Sequence, residues 1–350
     1  MTTRDDAPQA LNYSAHALED LRRLQEAWWT LAPKSAMVMT RILEMLEEST
    51  KFVLPNCCEL IAPGELRQAH VDIARLPFPC VAFEAPWQVS KATPQNVGGI
   101  DQQAATKRIA LCWEACPEFE PRPGLNDWLE YYPQGGIFIL PIFWGPQTPG
   151  WLPGVGGVFC PYDNILKERP IGKEPMASQM AIAAAVEAGV IEPDAKRLIG
   201  EPFVLFPEMF DLLVQELGSK DKANSSIMLD SRDESFMQLQ VCAVLGCANV
   251  GTVDVDPSVK LNKKRVSKGN QPFFSYKVLE LDDERAAPSG PGQGGQHASP
   301  RRHLRRGHIR RLQTNRVVWV RPSMVNANSP RGVVDKDYRV SVRKGESVSS

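Results

Sequence analysis

The sequence predicts an α+β fold: an N-terminal helical hairpin on a mixed β-sheet, a helical middle, and a basic β-rich C-terminal unit. Three observations carry this. Apolar residues recur at helical spacing over the first 50 residues, and short β-branched or aromatic runs bounded by Pro and Gly follow from residue 78. Helical patterns then return between residues 176 and 249, ahead of a cation-rich end.

Residues 1–11 are polar and read as disordered. Leu18, Leu21, Leu24, Trp28 and Leu31 then repeat with helical period until Pro33 stops the run, and Ser35 reads as the N-cap of a second helix reaching Ser49. So tight a link predicts an antiparallel hairpin. The pattern is too short for a coiled-coil arm, which needs three or four heptads. Strands are expected at Phe78 to Glu84, Lys107 to Trp113, Gly136 to Trp144 and Val155 to Cys160. The proline-rich connections APWQVSKATPQNVGG and CPEFEPRPGLNDW are long for a compact domain and are expected to cover a face or form one side of a site. Gly154-Val-Gly156-Gly157 lacks the third glycine and following helix of a dinucleotide loop and reads as a tight turn between strands. Three helices follow: Met176 to Gly189, Pro207 to Leu217 with Pro at its first position, and Ser231 to about Asn249 with a Ser231/Glu234 capping box.

Composition bounds the rest. With 350 residues, 43% hydrophobic and 23% charged, the chain has enough apolar surface for two or three packed units, which excludes wholesale disorder. Residues 12–256 read as an acidic body, and residues 257–341 as a basic unit holding a flexible loop at 286–300, followed by a tail at 342–350. The opening MTTRDDAPQA has no apolar core of a signal peptide, and no uninterrupted apolar stretch of membrane-spanning length occurs. A cytoplasmic protein without membrane contact is expected. The eight cysteines match no disulfide framework or zinc spacing, so they read as reduced thiols, with Cys112 buried in a strand; no cofactor or metal is expected.

The formal net charge of −1 hides an asymmetry. Residues 1–256 carry 20 Lys and Arg against 34 Asp and Glu, a net of −14, whereas residues 257–350 carry 20 against 7, a net of +13. Two runs concentrate the cations: Lys260, Lys263, Lys264, Arg265 and Lys268, then Arg301, Arg302, Arg305, Arg306, Arg310 and Arg311 with His303 and His308 among them. Read as a strand, the second run is basic on both faces, so it must be exposed or bound to an anion. Guanidinium forks grip phosphates bidentately and release counterions when they do, so nucleic acid, DNA or RNA, is the leading partner. The aromatic residues nearby, Phe273, Phe274, Tyr276, Trp319 and Tyr338, are few, which favours contacts to the nucleic-acid backbone over base stacking. Two alternatives stand beside this. His303 and His308 could serve as base and acid of a phosphodiesterase or toxin-like ribonuclease, with arginines stabilising developing charge. Equally, a non-enzymatic inhibitory or structural protein could dock its basic strand on an acidic protein partner, a second copy of its own body included. Asp254 and Asp256 before Pro257 read as a strand exit and turn rather than a metal site.

The succession KLNKKRVSKGNQPFFSYKVLEL, HASPRRHLRRGHIRRL, VVWVRPSMVN and GVVDKDYRV, with RLPFPCVAFE at Arg75 to Glu84, resembles a family of uncharacterised bacteriophage and prophage proteins. The resemblance implies a protein at work in a bacterial host's cytoplasm. It assigns no catalytic residue and fixes no oligomeric state.

Overall fold

The computed structural model describes residues 11–61, 63–88, 96–97, 100–101, 105–116, 119–146, 149–168 and 175–281, and beyond them the strand segments 303–305, 308–313, 316–320, 323–325 and 341–342. The expectations for residues 1–10, 286–300, 333–340 and 343–350 lie outside the described residues.

Along the chain run α1 (Tyr13–Leu31), α2 (Pro33–Glu48), β1 (Thr50–Val53), α3 (Gln68–Ile73), β2 (Cys80–Pro86), β3 (Asn96–Val97), β4 (Ile100–Asp101), β5 (Lys107–Glu114), α4 (Trp128–Tyr131), β6 (Gly136–Trp144), β7 (Trp151–Pro153) and β8 (Gly156–Pro161). There follow α5 (Met176–Glu187), β9 (Glu201–Val204), α6 (Pro207–Leu217), α7 (Lys220–Asp230), α8 (Arg232–Leu245), β10 (Val250–Val255), α9 (Val259–Val266) and β11 (Tyr276–Leu281). The last segments are β12 (His303–Arg305), β13 (His308–Gln313), β14 (Arg316–Val320), β15 (Ser323–Val325) and β16 (Ser341–Val342).

The fold is α+β on a mixed sheet of order β10-β11-β1-β2-β5-β6-β8-β9, with β7 on the second half of β6 and β16 on β11. The pairs β11·β1 and β1·β2 are parallel, and the central β2·β5·β6·β8 meander is antiparallel. Both faces of the meander are buried, which is why its strands read as nearly unbroken apolar runs. In β5, Ile109, Leu111 and Trp113 point to the core under the α1–α2 hairpin, while Ala110 and Cys112 point to the core under α8. Two helical layers therefore sandwich the sheet, the N-terminal hairpin on one side and α8 with α3 on the other. Pro141, inside a central strand, falls between the segment of β6 paired with β8 (136–139) and that paired with β7 (142–144), where a missing N–H costs the ladder least.

Local details correct three expectations. Ser35 is not the cap of α2: the helix begins two residues earlier with Pro33 at its first turn, and its amides are capped from outside by Glu208, which accepts from Lys34 N, Ser35 N and Ser35 Oγ at 3.0, 2.9 and 2.5 Å. Burial works against the Glu208 charge, but these hydrogen bonds hold its carboxyl below the usual range. Likewise, no Ser231/Glu234 capping box forms. Ser231 has helical angles, donates its hydroxyl to Ile227 O, and joins α7 to α8 almost continuously, while Glu234 is spent elsewhere. At the glycine-rich stretch, Gly154 and Val155 make the turn between β7 and β8, but Gly156 and Gly157 belong to β8, where a Cβ would strike the carbonyl oxygens of Phe203 and Ile139. Close approach of neighbouring strands, not phosphate, requires those two.

The basic end enters the fold through β11, inserted between β10 and β1. Beyond it, β13 and β14 pair antiparallel and β12 pairs with β15, in two separate ladders. No helix among the described residues is long and apolar enough to cross a membrane.

Candidate functional site

The first basic run forms α9. Strand β10 ends at Val255: Asp254 lies inside it, ion-paired to Lys277 at 2.6 Å, and Asp256, just past its end, accepts from Ser275 Oγ at 2.6 Å, so only Asp256 marks the strand exit. Ser258 then caps the helix, its hydroxyl accepting from Leu261 N at 3.5 Å. At 3.6 residues per turn, Lys260, Lys263 and Lys264 share one side, and Asn262 and Arg265 share the opposite one. The structure uses them accordingly. Asn262 exchanges two hydrogen bonds with the backbone of Phe273 at 2.9 and 2.8 Å. Arg265 donates to Glu19 Oε1 on α1 at 2.7 Å and to Gln271 O at 2.7 Å, and its guanidinium lies 4.0 Å from the Phe273 ring centroid. Glu19 also accepts from Gln271 N at 3.0 Å, and Arg22 on α1 donates to Gln271 Oε1 at 2.7 Å. Residues 262–273 are thus bolted to the N-terminal hairpin by polar contacts.

The other side of α9 faces solvent. No residue of the helix is buried, and Lys260, Lys263, Lys264 and Lys268 are all exposed. Exposed apolar residues flank the lysine stripe: Val259 at 70%, Leu261 at 44% and Val266 at 60%. Of the five cations in this run, Arg265 is an internal anchor and the four lysines are presented outward.

In the second run, Arg305, Arg310 and Arg311 fall on β12 and β13, with Arg305 opposite Ser323, Arg310 opposite Val318 and Arg311 opposite Val317. Arg301, Arg302 and Arg306 lie outside the described residues. His303, on β12, is paired with Val325, and His308, on β13, with Val320, so the two histidines stand on different ladders. Among the aromatics considered for stacking, Phe273 is covered by Arg265 and meets His16 edge-on at 5.6 Å, Phe274 lies 3.9 Å under Lys51 Nζ, and Tyr276 is buried. Tyr276 is thus covered, and Phe273 and Phe274 each have one ring face taken by a cation.

A second constellation escaped the sequence reading. Arg108 on β5 pairs with Glu234 at 2.8 Å and with Asp233 at 3.1 Å on α8, and its guanidinium lies 5.1 Å from the Trp87 ring centroid. Asp233 has a second partner in Arg232 at 3.3 Å. Burial lifts the Asp230 carboxyl to about 7 against the pull of Arg108, and burial likewise lifts Glu234 to about 7. Burial disfavours the Arg108 charge, but Glu234 and Asp233 hold it firmly protonated. Arg108 thus meets two carboxylates of α8, Glu234, which is fully buried, and Asp233, and among the described residues Glu234 Oε2 has no hydrogen-bond partner.

Beside this cluster opens a cleft of about 880 Å³ between α3, α5, α8, β8 and the loop 190–200. All eight cysteines are free thiols, and burial raises those of Cys57, Cys112 and Cys160, which disfavours their thiolate form. Among the described residues, no group of three or more His, Cys, Asp or Glu is arranged to hold a metal ion.

Comparison with known proteins adds one finding. Residues 257–327 match the model of the AcrVA2-like family, described as an anti-CRISPR type V subtype A2 family. The match spans about a fifth of the chain, from the turn before α9 past β15. It is consistent with phage origin and coincides with the basic segment. No curated protein and no solved structure matches the chain.

Proposed function

We propose that the chain is a phage-encoded, non-enzymatic inhibitor that acts in the bacterial host by binding a protein component of a type V CRISPR system, with the lysine face of α9 docked on an acidic patch. The observation that carries this reading is the surface of α9 itself, which lies within the segment similar to the anti-CRISPR family. Four outward lysines beside Val259, Leu261 and Val266 match a protein interface, where apolar contacts and charge work together. A polyphosphate would use the lysines and leave the apolar residues wet.

Nucleic acid remains the rival occupant, bound through the same lysines and the arginines of residues 301–311. A cation over one face of each of Phe273 and Phe274 reduces what it could gain. The test is phage survival in cells carrying a type V CRISPR system and expressing either the parent or the Lys263→Glu, Lys264→Glu variant. Only the parent is expected to restore plaques. If both restore them equally, α9 is not the docking face; if the parent binds RNA or DNA at roughly 150 mM salt, where backbone-only contacts fade, the nucleic-acid reading takes its place.

A further inference from the structure

We infer that the cleft between α3, α5 and α8 is a binding site for a monomeric amphiphile, an apolar chain or ring system bearing one anionic head group. This site is separate from α9 and owes nothing to the reading above.

Size and stiffness come first. At about 880 Å³ the cleft falls in the range of small-molecule sites, roughly 300 to 1,000 Å³, and far exceeds a packing defect. Its rim is tied down by side-chain amides. Gln240 on α8 accepts from Leu60 N at 3.0 Å and Ile61 N at 2.6 Å, fixing the loop in which Cys57 and Cys58 hold positive φ of 54° and 47°. Asn164 exchanges hydrogen bonds with Ile199 at 2.6 and 2.8 Å, and Gln68 on α3 exchanges them with Asn164 O at 3.0 Å and Leu166 N at 2.8 Å. Three separate segments are thus pinned around an opening before any ligand arrives, which lowers the ordering cost of binding.

The chemistry of the lining selects the ligand. Ile61, Val71, Ile137, Val158 and Leu239 form an apolar floor, with Ile182 of α5 on the facing wall. These side chains offer no hydrogen bond, and the lining amides Gln240 and Asn164 are engaged with the protein backbone, so this part of the interior favours hydrocarbon or aromatic carbon. On the α3 side stand Arg67 and Arg75, both exposed and lining the cleft. Neither pairs with a carboxylate among the described residues: Arg75 lies on the Tyr162 ring at 4.3 Å and bonds the Ala74 carbonyl, while Arg67 reaches the carbonyls of Gly64 and Leu66 at 3.4 Å. The lining also holds four acids: Asp233, held by Arg108 and Arg232; Glu192 and Asp194, on the 190–200 loop with Lys196; and Glu59, just past the Cys57–Cys58 turn. Two guanidinium groups with spare N–H donors at the edge of an apolar cleft are complementary to a carboxylate on an apolar chain.

Isothermal titration calorimetry on the full chain tests this with oleate below its micellar concentration, oleyl alcohol, and inorganic phosphate. Oleate is expected to occupy one site per chain, with oleyl alcohol at least about tenfold weaker and phosphate alone undetectable. The Arg67→Ala, Arg75→Ala variant should lose about tenfold for oleate and nothing for oleyl alcohol, and Ile182→Asp should weaken both. All three substitutions fall on exposed or half-exposed side chains, and a thermal melt confirms that each variant is folded. Failure of oleate to bind the parent, equal oleate affinity in the double-arginine variant, or binding untouched by Ile182→Asp each overturns the inference.

Discussion

Arg265 and Arg108 meet carboxylates in two very different settings. On α9, Arg265 settles one ion pair with Glu19 in which both side chains keep some exposure, 13% and 22%, and the neighbouring lysines of α9 stay exposed and available to a partner. In the interior, Arg108 pairs with the fully buried Glu234 and with Asp233, and burial raises the carboxyls of Glu234 and Asp230 against the pull of that guanidinium. The difference teaches which charges this fold can lend to function. Charges that water reaches cost little and can be spent on recognition; charges out of its reach are committed to holding β5 against α8.

The largest effect should come from breaking the interior pair. Arg108→Leu leaves the buried Glu234 without its cation and is expected to cost about 3–5 kcal/mol in urea denaturation; adding Asp230→Asn and Glu234→Gln should recover a large part. A loss below about 1 kcal/mol would mean that the cluster is not the buried ion pair described. Next in size is the pH dependence. Asp230 and Glu234, lifted from 3.8 and 4.5 to about 7, bind protons more tightly folded than unfolded. Their contribution is therefore fully present below about pH 4 and is lost as pH rises through 7. The urea midpoint should fall between pH 5 and pH 8, and the Asp230→Asn, Glu234→Gln variant should flatten that slope.

At the edge the effects shrink. Arg265→Ala removes a charge-assisted hydrogen bond and a ring contact and is expected to cost about 1–2 kcal/mol, with faster hydrogen exchange in α9 and at the Gln271 amide. Single Lys→Ala changes at 260, 263 or 264 should move stability by less than about 0.5 kcal/mol, so whatever they remove from partner binding is read directly.

These two regions also show what a sequence can disclose. Strand β6 and helix α6 were legible residue for residue, because burial on both faces makes one an unbroken apolar run and Pro207 and Gly218 punctuate the other. The short polar α7 was not, since KDKANSSIMLD shows no periodic apolar face and only Ser219, accepting from Lys222 N, marks its start. Capping was misassigned where its partner is remote in sequence: Glu208 reaches α2 across 173 residues, and Glu234 turns to Arg108, 126 residues away. The same holds for the sites. The lysine run announces itself by local density, yet the anchoring role of Arg265 depends on Glu19 at the other end of the chain, 246 residues away. The cleft draws its lining from six separated stretches and has no local signature.

The direct test of the central claim is the affinity of the purified full chain for a type V CRISPR effector protein, measured at roughly 150 mM salt beside a Lys260→Glu, Lys263→Glu, Lys264→Glu variant whose unfolding midpoint matches the parent. The account predicts that the parent binds and the charge-reversed variant is weakened by at least about tenfold. Equal affinity of the two proteins for the effector would contradict it.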